Sequence, residues 1–242
     1  MQKQEIPNKL DERFQHSNTD QDMLEKGAIL QRDGTFAIAP HITGGVITDF
    51  DMLVRMADVA KKFGCQAMKV TSSQRIALVG IKKEDIDATW QELGMKPGAA
   101  IGLCVRSVKF CPGTTFCKRG QQDSVGLGTK LDEKFHGMTL PSKFKIGISG
   151  CPNMCMDSMM IDFGAVGMPK GFKVFVGGNG GRQPRFGQLI AEDQSPEQVE
   201  GILDKIIDHY KADAKTNERL GRFIERIGFA NFKDKTVASL WH

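Results

Sequence analysis

The sequence predicts an α+β protein in two unequal parts. Three observations lead there. Over residues 30–97 the strand-like and helix-like runs follow the order strand, helix, strand, strand, helix, which is not the repeated alternation of a parallel α/β fold. Residues 98–187 concentrate glycine and cysteine, including five of the six cysteines of the chain. After about residue 195 the pattern turns helical, behind a strong helix-start signal.

The elements follow in order. Residues 1–26 are polar and charged and read as a loosely attached arm. Residues 35–39 are short and apolar enough for a strand. Thr48 is placed to cap a helix to about Phe63, with Met52, Met56, Val59 and Phe63 on one face and Gly64 as the stop. Residues 67–71 and 75–80 read as two strands about a Ser72–Ser73 turn. Residues 84–93 read as a helix with Ile86, Trp90 and Leu93 on one face, ended by Gly94. Residues 101–128 look irregular. Strands are expected over 144–149, 163–166, 173–176 and 186–191. Ser195-Pro196-Glu197-Gln198 carries a capping box with proline in the first turn. Val199, Ile202, Leu203, Ile206, Ile207 and Tyr210 then recur at helical spacing, and residues 217–227 form a further amphipathic run.

Composition narrows the function classes. Lysine plus arginine exceeds aspartate plus glutamate by 33 to 29, and no basic block stands out. That argues against a dedicated nucleic-acid binder, which concentrates positive charge and interleaves aromatics. No apolar run approaches the roughly 18 residues of a membrane-spanning helix, and residues 1–26 lack an apolar signal core, so the expected address is the cytoplasm. In that compartment clustered cysteines point to metal or redox chemistry before disulfides.

Cys111 and Cys117 form C-x5-C, and Cys151 and Cys155 form C-x3-C. Four thiolates from two loops can surround a [4Fe–4S] cube, and the glycines and prolines beside them permit close backbone approach. Zinc remains an alternative, since the second pair has a zinc-like spacing and the first does not. Unrelated buried thiols and disulfides are the blander readings. Cys65 and Cys104 lie outside the pattern and read as small buried hydrophobes.

The two pairs, with Gly150-Cys151-Pro152-Asn153 opening the second, resemble the sulfite and nitrite reductases that couple sirohaem to a [4Fe–4S] cluster. The segments Val105-Arg106-Ser107-Val108-Lys109, Gly120-Gln121-Gln122-Asp123-Ser124, Lys143-Phe144-Lys145, Val176-Gly177-Gly178-Asn179-Gly180-Gly181 and Val70-Thr71-Ser72-Ser73-Gln74-Arg75-Ile76 are similar to family segments. The resemblance covers roughly residues 30–230. It implies an N-terminal arm at 1–29, a ferredoxin-like half-domain at 30–97, a sirohaem/[4Fe–4S] domain at 98–230 and a tail at 231–242. Cys111, Cys117, Cys151 and Cys155 would bind the cluster, and Cys155 would also be the axial ligand of the sirohaem iron.

The implied activity is six-electron reduction of sulfite to sulfide, ranked first because the chain is a small module, with nitrite reduction to ammonia as the alternative. A non-catalytic iron–sulfur carrier is the second alternative. Sirohaem carries eight carboxylates and the substrates are anions, so the site should be basic. Arg106, Lys109, Lys143 and Lys145 are expected at the substrate or haem carboxylates. The last two share one face of the expected strand, which leads into Cys151. Lys69, Thr71, Gln74, Arg75, Asn153, Asn179, Arg182 and Arg185 are expected around the cofactor. Larger family members carry arginines where this chain has Ser73 and near His41. A relay of protons by His41 competes with a structural role for it. The glycine-rich loop fails the G-x-G-x-x-G register because Gln183 stands at the third glycine position, so close approach to the haem edge is the better reading. With no nucleotide motif, electrons should come from a separate one-electron donor such as a ferredoxin or a reductase subunit. Lys118 and Arg119 would attract an acidic carrier. An unpaired sheet edge in the half-domain implies a homo-oligomer.

Overall fold

The computed structural model describes residues 21–237. Residues 1–20 of the expected arm and 238–242 of the expected tail lie outside the described residues.

The first unit contains β1 (Ala28–Leu30), β2 (Phe36–Ile38), α1 (Asp51–Lys62), β3 (Ala67–Val70), β4 (Ile76–Ile81) and α2 (Ile86–Leu93). The strands form one antiparallel sheet in the order β1-β2-β4-β3. β1 starts at Ala28, inside the segment expected to be an arm, because it completes the sheet beside β2 and buries Ala28. The start of α1 departs from expectation. Asp49, not Thr48, supplies the side-chain acceptor, taking the Asp51 N–H at 3.1 Å. Gly94 ends α2 in the left-handed conformation, its N–H on the Trp90 carbonyl, as the sequence predicts. Phe36, Ile38, Met56, Val59, Leu78, Ile81, Ile86 and Leu93 close the core. β3 is one of the sheet's two outer strands and is exposed along its length.

The second unit contains β5 (Lys109–Phe110), α3 (Gly113–Phe116), α4 (Ser124–Phe135), β6 (Ile146–Ser149), β7 (Phe163–Met168), β8 (Gly171–Val176), β9 (Gln188–Gln194), α5 (Pro196–Asp213), α6 (Leu220–Ile227) and α7 (Phe229–Thr236). The sheet order is β5-β6-β7-β8-β9, parallel across the first three strands and antiparallel across the last three. The capping box forms as read: Ser195 Oγ accepts the Gln198 N–H, and Gln198 Oε1 accepts the Ser195 N–H.

Three helices escape the sequence reading: the single turn α3, and the longer α4 and α7. Helix α4 is hidden by Gly126 and Gly128, which weaken the local helical signal. Gly128 has a packing cause: a Cβ there would sit 2.2 Å from the Phe110 ring. Asp123 caps the helix by accepting the Gly126 N–H at 2.9 Å. Helix α7 occupies part of the expected tail, anchored by fully buried Phe232.

Side-chain alternation in the central strands creates two different faces. Phe144, Ile146 and Ile148 point into the main core with Phe163 and Ala165. Gly147 and Gly164 face the other way, and a Cβ on either would strike the 156–161 segment, at 2.3 Å from Ile161 and 1.7 Å from the Ser158 carbonyl. The loop after β6 therefore lies directly on the sheet because the residues beneath it are glycines.

The two units are joined beside the first cysteine. The Gln74 side-chain amide takes the Phe110 N–H at 3.0 Å and donates to the Phe110 carbonyl at 2.9 Å, acting as one residue of an extra strand. Gln74 itself sits at a positive φ of 57°. Replacing Gln74 by alanine leaves both polar groups of the nearly buried Phe110 backbone without this partner. The expected cost is about 1–3 kcal/mol of stability, read by denaturant unfolding. Wild-type stability in that variant would show the clamp to be dispensable.

Candidate cofactor site

Parallel pairing of β5 with β6 brings the cysteine loops together. Lys109 pairs with Gly147 and Phe110 with Ile148, so both strands end on the same side. Cys111 follows β5 directly, and Gly150-Cys151 follows β6. The loops then touch through glycines. A Cβ on Gly150 would lie 2.7 Å from the Gly113 Cα, and one on Gly120 would lie 2.4 Å from the Gly113 carbonyl carbon. The N–H groups of Gln121 and Gln122 both donate to the Gly150 carbonyl, at 2.8 and 3.0 Å. Cys117 ends α3, its N–H on the Gly113 carbonyl at 2.9 Å. Cys111 and Cys151 are buried, Cys117 is half-buried and Cys155 is exposed.

The donor set fits a thiolate-held cluster. All six cysteines are free. The Gly150 N–H points at Cys111 Sγ from 3.1 Å, the kind of hydrogen bond to sulfur that tunes iron–sulfur centres. The five-residue gap between Cys111 and Cys117 is wider than in the pairs of structural zinc sites.

Beside the cysteine loops, on the glycine side of the sheet, lies a cleft with two chambers of about 360 and 560 Å³. Lys143, Asn179 and Arg219 line both. Lys109 and Lys145 line the smaller chamber, and Arg182, Arg185 and Arg222 the larger. Among the described residues one carboxylate lines the cleft, Asp157, which reaches Lys109 Nζ at 3.4 Å. Such a wall suits a flat polyanion. The pKa of Lys145 is lowered, first by partial burial and then by Lys143, Arg219 and Lys109, while Asp162 opposes the shift. Lys145 is still open to the cleft, so solvent screens part of this effect.

Of the residues expected around the cofactor, Lys109, Lys143, Lys145, Asn179, Arg182 and Arg185 meet in the cleft. Arg185 is also ion-paired with Glu225 at 2.8 Å. Arg106 lines a small recess with Ser72, Ser73, Lys109 and Lys145, but its guanidinium donates to the carbonyls of Ala99 and Gly102, both at 2.9 Å. Asn153 is exposed between Cys151 and Cys155.

The upstream group sits elsewhere. Arg75 is buried and donates to the Gly98 carbonyl and to Ser107 Oγ, its pKa pushed down to about 10, chiefly by burial and then by Arg106. Gln74 is the clamp on Phe110. Thr71 Oγ1 accepts the Arg75 N–H at 3.2 Å and shapes the turn. Lys69 stands on outer strand β3 and donates to the Val70 carbonyl. None of these four lines the cleft. His41 likewise ties the units together: its Nε2 lies 2.7 Å from buried Asp132, and its ring stacks on His136 at 3.9 Å.

Sequence reading passed over Arg219 and Arg222. They lie at the start of α6, in a run read only for its helical periodicity. The one available signal was Gly221 between them, which packs against the Gly177 carbonyl, where a Cβ would lie at 2.4 Å.

The nitrite and sulphite reductase 4Fe-4S domain family matches residues 101–241, and the nitrite/sulfite reductase ferredoxin-like half domain matches residues 29–96. This chain belongs to the nitrite and sulfite reductase family. An assimilatory-type sulfite reductase of Nitratidesulfovibrio vulgaris is 43% identical over 84% of this chain and 93% of its own length. A nitrite reductase [NAD(P)H] of Bacillus subtilis is 39% identical over 84% of this chain, but only 25% of that longer protein is covered. Among solved structures, dissimilatory sulfite reductase I superposes with a TM-score of 0.76 at 17% identity, over 83% of this chain and 68% of that one. The Mycobacterium tuberculosis NirA protein gives 0.72 at 19% identity, over 85% and 40%. At those identities the likeness establishes the shared fold. Among the described residues, no helix is long and apolar enough to cross a membrane.

Proposed function

We propose that this chain reduces sulfite to sulfide, with Cys111, Cys117, Cys151 and Cys155 holding a [4Fe–4S] cluster and the basic cleft holding sirohaem. The observation that carries the reading is a cleft walled by lysine and arginine whose lining includes Lys109 and Asp157, each two residues from a cysteine of the two pairs. The relative matched over 93% of its own length favours sulfite. The balance is HSO3⁻ + 6 e⁻ + 6 H⁺ → HS⁻ + 3 H2O. Bound through Cys155, the coupled metal centre would supply the electron transfer, which no side chain provides.

The chain's own residues supply binding and protons. Arg182, Arg185 and Lys143 neutralise carboxylates that would otherwise be costly to desolvate. Lys143 and Lys145 lie on the open face of the segment before Cys151, where ammonium groups can hold substrate oxygens and release protons to them. The lowered pKa of Lys145 brings it closer to the range of an effective acid. Replacing either lysine by alanine should slow turnover roughly ten- to a hundred-fold, the loss of one charged hydrogen bond of about 1.5–3 kcal/mol. Normal rates in both variants would remove them from the machinery.

Nitrite is the second reading, favoured by the relatives named for it. Steady-state assays with a chemically reduced one-electron dye decide between the two. A higher kcat/KM is expected for sulfite, and a clear preference for nitrite would reverse the order. Electrons would arrive from a separate one-electron carrier docked beside Cys117, where Phe116, Lys118 and Arg119 are exposed. We place the reaction in the cytoplasm, where free thiols persist. We also infer a homo-oligomer. Val70 and Met68 on outer strand β3, and Phe50 and Val54 at α1, are exposed apolar side chains that self-association would cover. Light scattering showing only a 26.7 kDa species at micromolar concentration would contradict it.

A further inference from the structure

We propose that Arg219 is the anchor for a tetrapyrrole carboxylate where the two chambers of the cleft meet, with Asp162 as the positioning residue that aims it. This inference rests on the sirohaem reading above and assigns to that cofactor a residue that no sequence motif marks.

Arg219 lines both chambers. Asp162, 1% exposed, fixes one edge of its guanidinium: Nε donates to Oδ1 at 3.1 Å and Nη2 to Oδ2 at 2.7 Å. Among the described residues Nη1 has no hydrogen-bond partner, although the side chain is only 20% exposed. Five donors radiate from a planar guanidinium. With the Nε–Nη2 edge taken, the remaining donors are those turned away from Asp162.

Asp162 also explains why this direction is fixed. It precedes β7, and its Oδ2 also accepts the Lys145 N–H at 2.9 Å. Its own carbonyl accepts the Gly177 N–H at 2.8 Å. The buried carboxylate thus ties the segment before β6 to the N-terminus of α6, while the backbone carbonyl of the same residue holds the end of β8. Burial pushes its pKa up, and Arg219 and the Lys145 N–H oppose that. A purely structural ion pair would satisfy Asp162 equally well without placing a guanidinium at the junction of two cationic chambers.

The test separates these roles. Arg219→Lys keeps a cation for Asp162 but loses the planar fork. Holoproteins are purified, and sirohaem retention is followed as the Soret absorbance per chain during dialysis, alongside cluster iron and the thermal midpoint. The expected result is sirohaem loss roughly ten- to a hundred-fold faster than wild type, with cluster iron and midpoint little changed. If Arg219→Lys does not fold, the double variant Asp162→Asn/Arg219→Gln, which leaves no unpaired buried charge, is expected to fold and to lose sirohaem at the same accelerated rate. Wild-type retention in whichever variant folds would overturn the inference and leave a structural ion pair. A wild-type protein that carries no sirohaem would instead overturn the reading of the cleft, and this inference with it.

Discussion

Replacing Cys155 by serine will leave the fold intact and remove the activity. Cys155 is exposed, unlike Cys111 and Cys151, so its thiol adds little to packing. Substitution of an exposed side chain generally changes stability by no more than about 0.5 kcal/mol. If its sulfur is the ligand shared by cluster and haem, turnover should fall by about a hundred-fold or more, since even outer-sphere changes at metal sites cost roughly 10–100-fold. The Soret band should fall with it. Cys65→Ser, in the half-domain and away from both cysteine loops, should keep both cofactors. Full activity and an unchanged spectrum in the Cys155→Ser protein would remove Cys155 from the centre.

The second large effect is expected at Gly113, where the loops of the two cysteine pairs meet. Its φ is +50°, and a Cβ would lie 2.3 Å from Ser124 Oγ and 2.8 Å from the Ser124 nitrogen. Ser124 cannot simply turn aside, because its hydroxyl donates to the Cys111 carbonyl at 2.8 Å. Left-handed strain costs about 1–2 kcal/mol and overpacking about 1–3. Gly113→Ala should therefore lose about 2–5 kcal/mol and much of its cluster iron. Gly137 is the control, with φ +75° and no atom within 4 Å of where its Cβ would stand, so Gly137→Ala should carry the strain alone. Equal thermal midpoints and equal iron in the two variants would show that the loops can separate at no cost.

Sequence and structure agree where the signal is local. The capping box at Ser195, the glycine stop at Gly94 and the shared face of Lys143 and Lys145 were all legible, because each depends on residues a few positions apart. The two cysteine pairs were legible from their spacing, and the parallel pairing of β5 with β6 sets their loops side by side. What was not legible depends on tertiary contacts. Helix α4 looked irregular because Gly128 makes room for the Phe110 ring. Gln74 and Arg75 were read as cofactor contacts; their side chains bond the backbone of Phe110 and Gly98 and do not line the cleft. Arg219 looked like an ordinary helix-end charge, and its role depends on Asp162, 57 positions away. Long-range polar pairing of this kind has no periodicity to read.

The proposed activity requires one chain to hold both a four-iron cluster and sirohaem on adjoining surfaces. A visible absorption spectrum of the purified protein, with iron and acid-labile sulfide measured on the same sample, tests this most directly. A strong Soret band, a red sirohaem band and iron in excess of sulfide by the haem iron are the expected result. A broad brown shoulder alone, with iron equal to sulfide, would leave an iron–sulfur carrier and contradict the proposal, as would a colourless protein containing zinc.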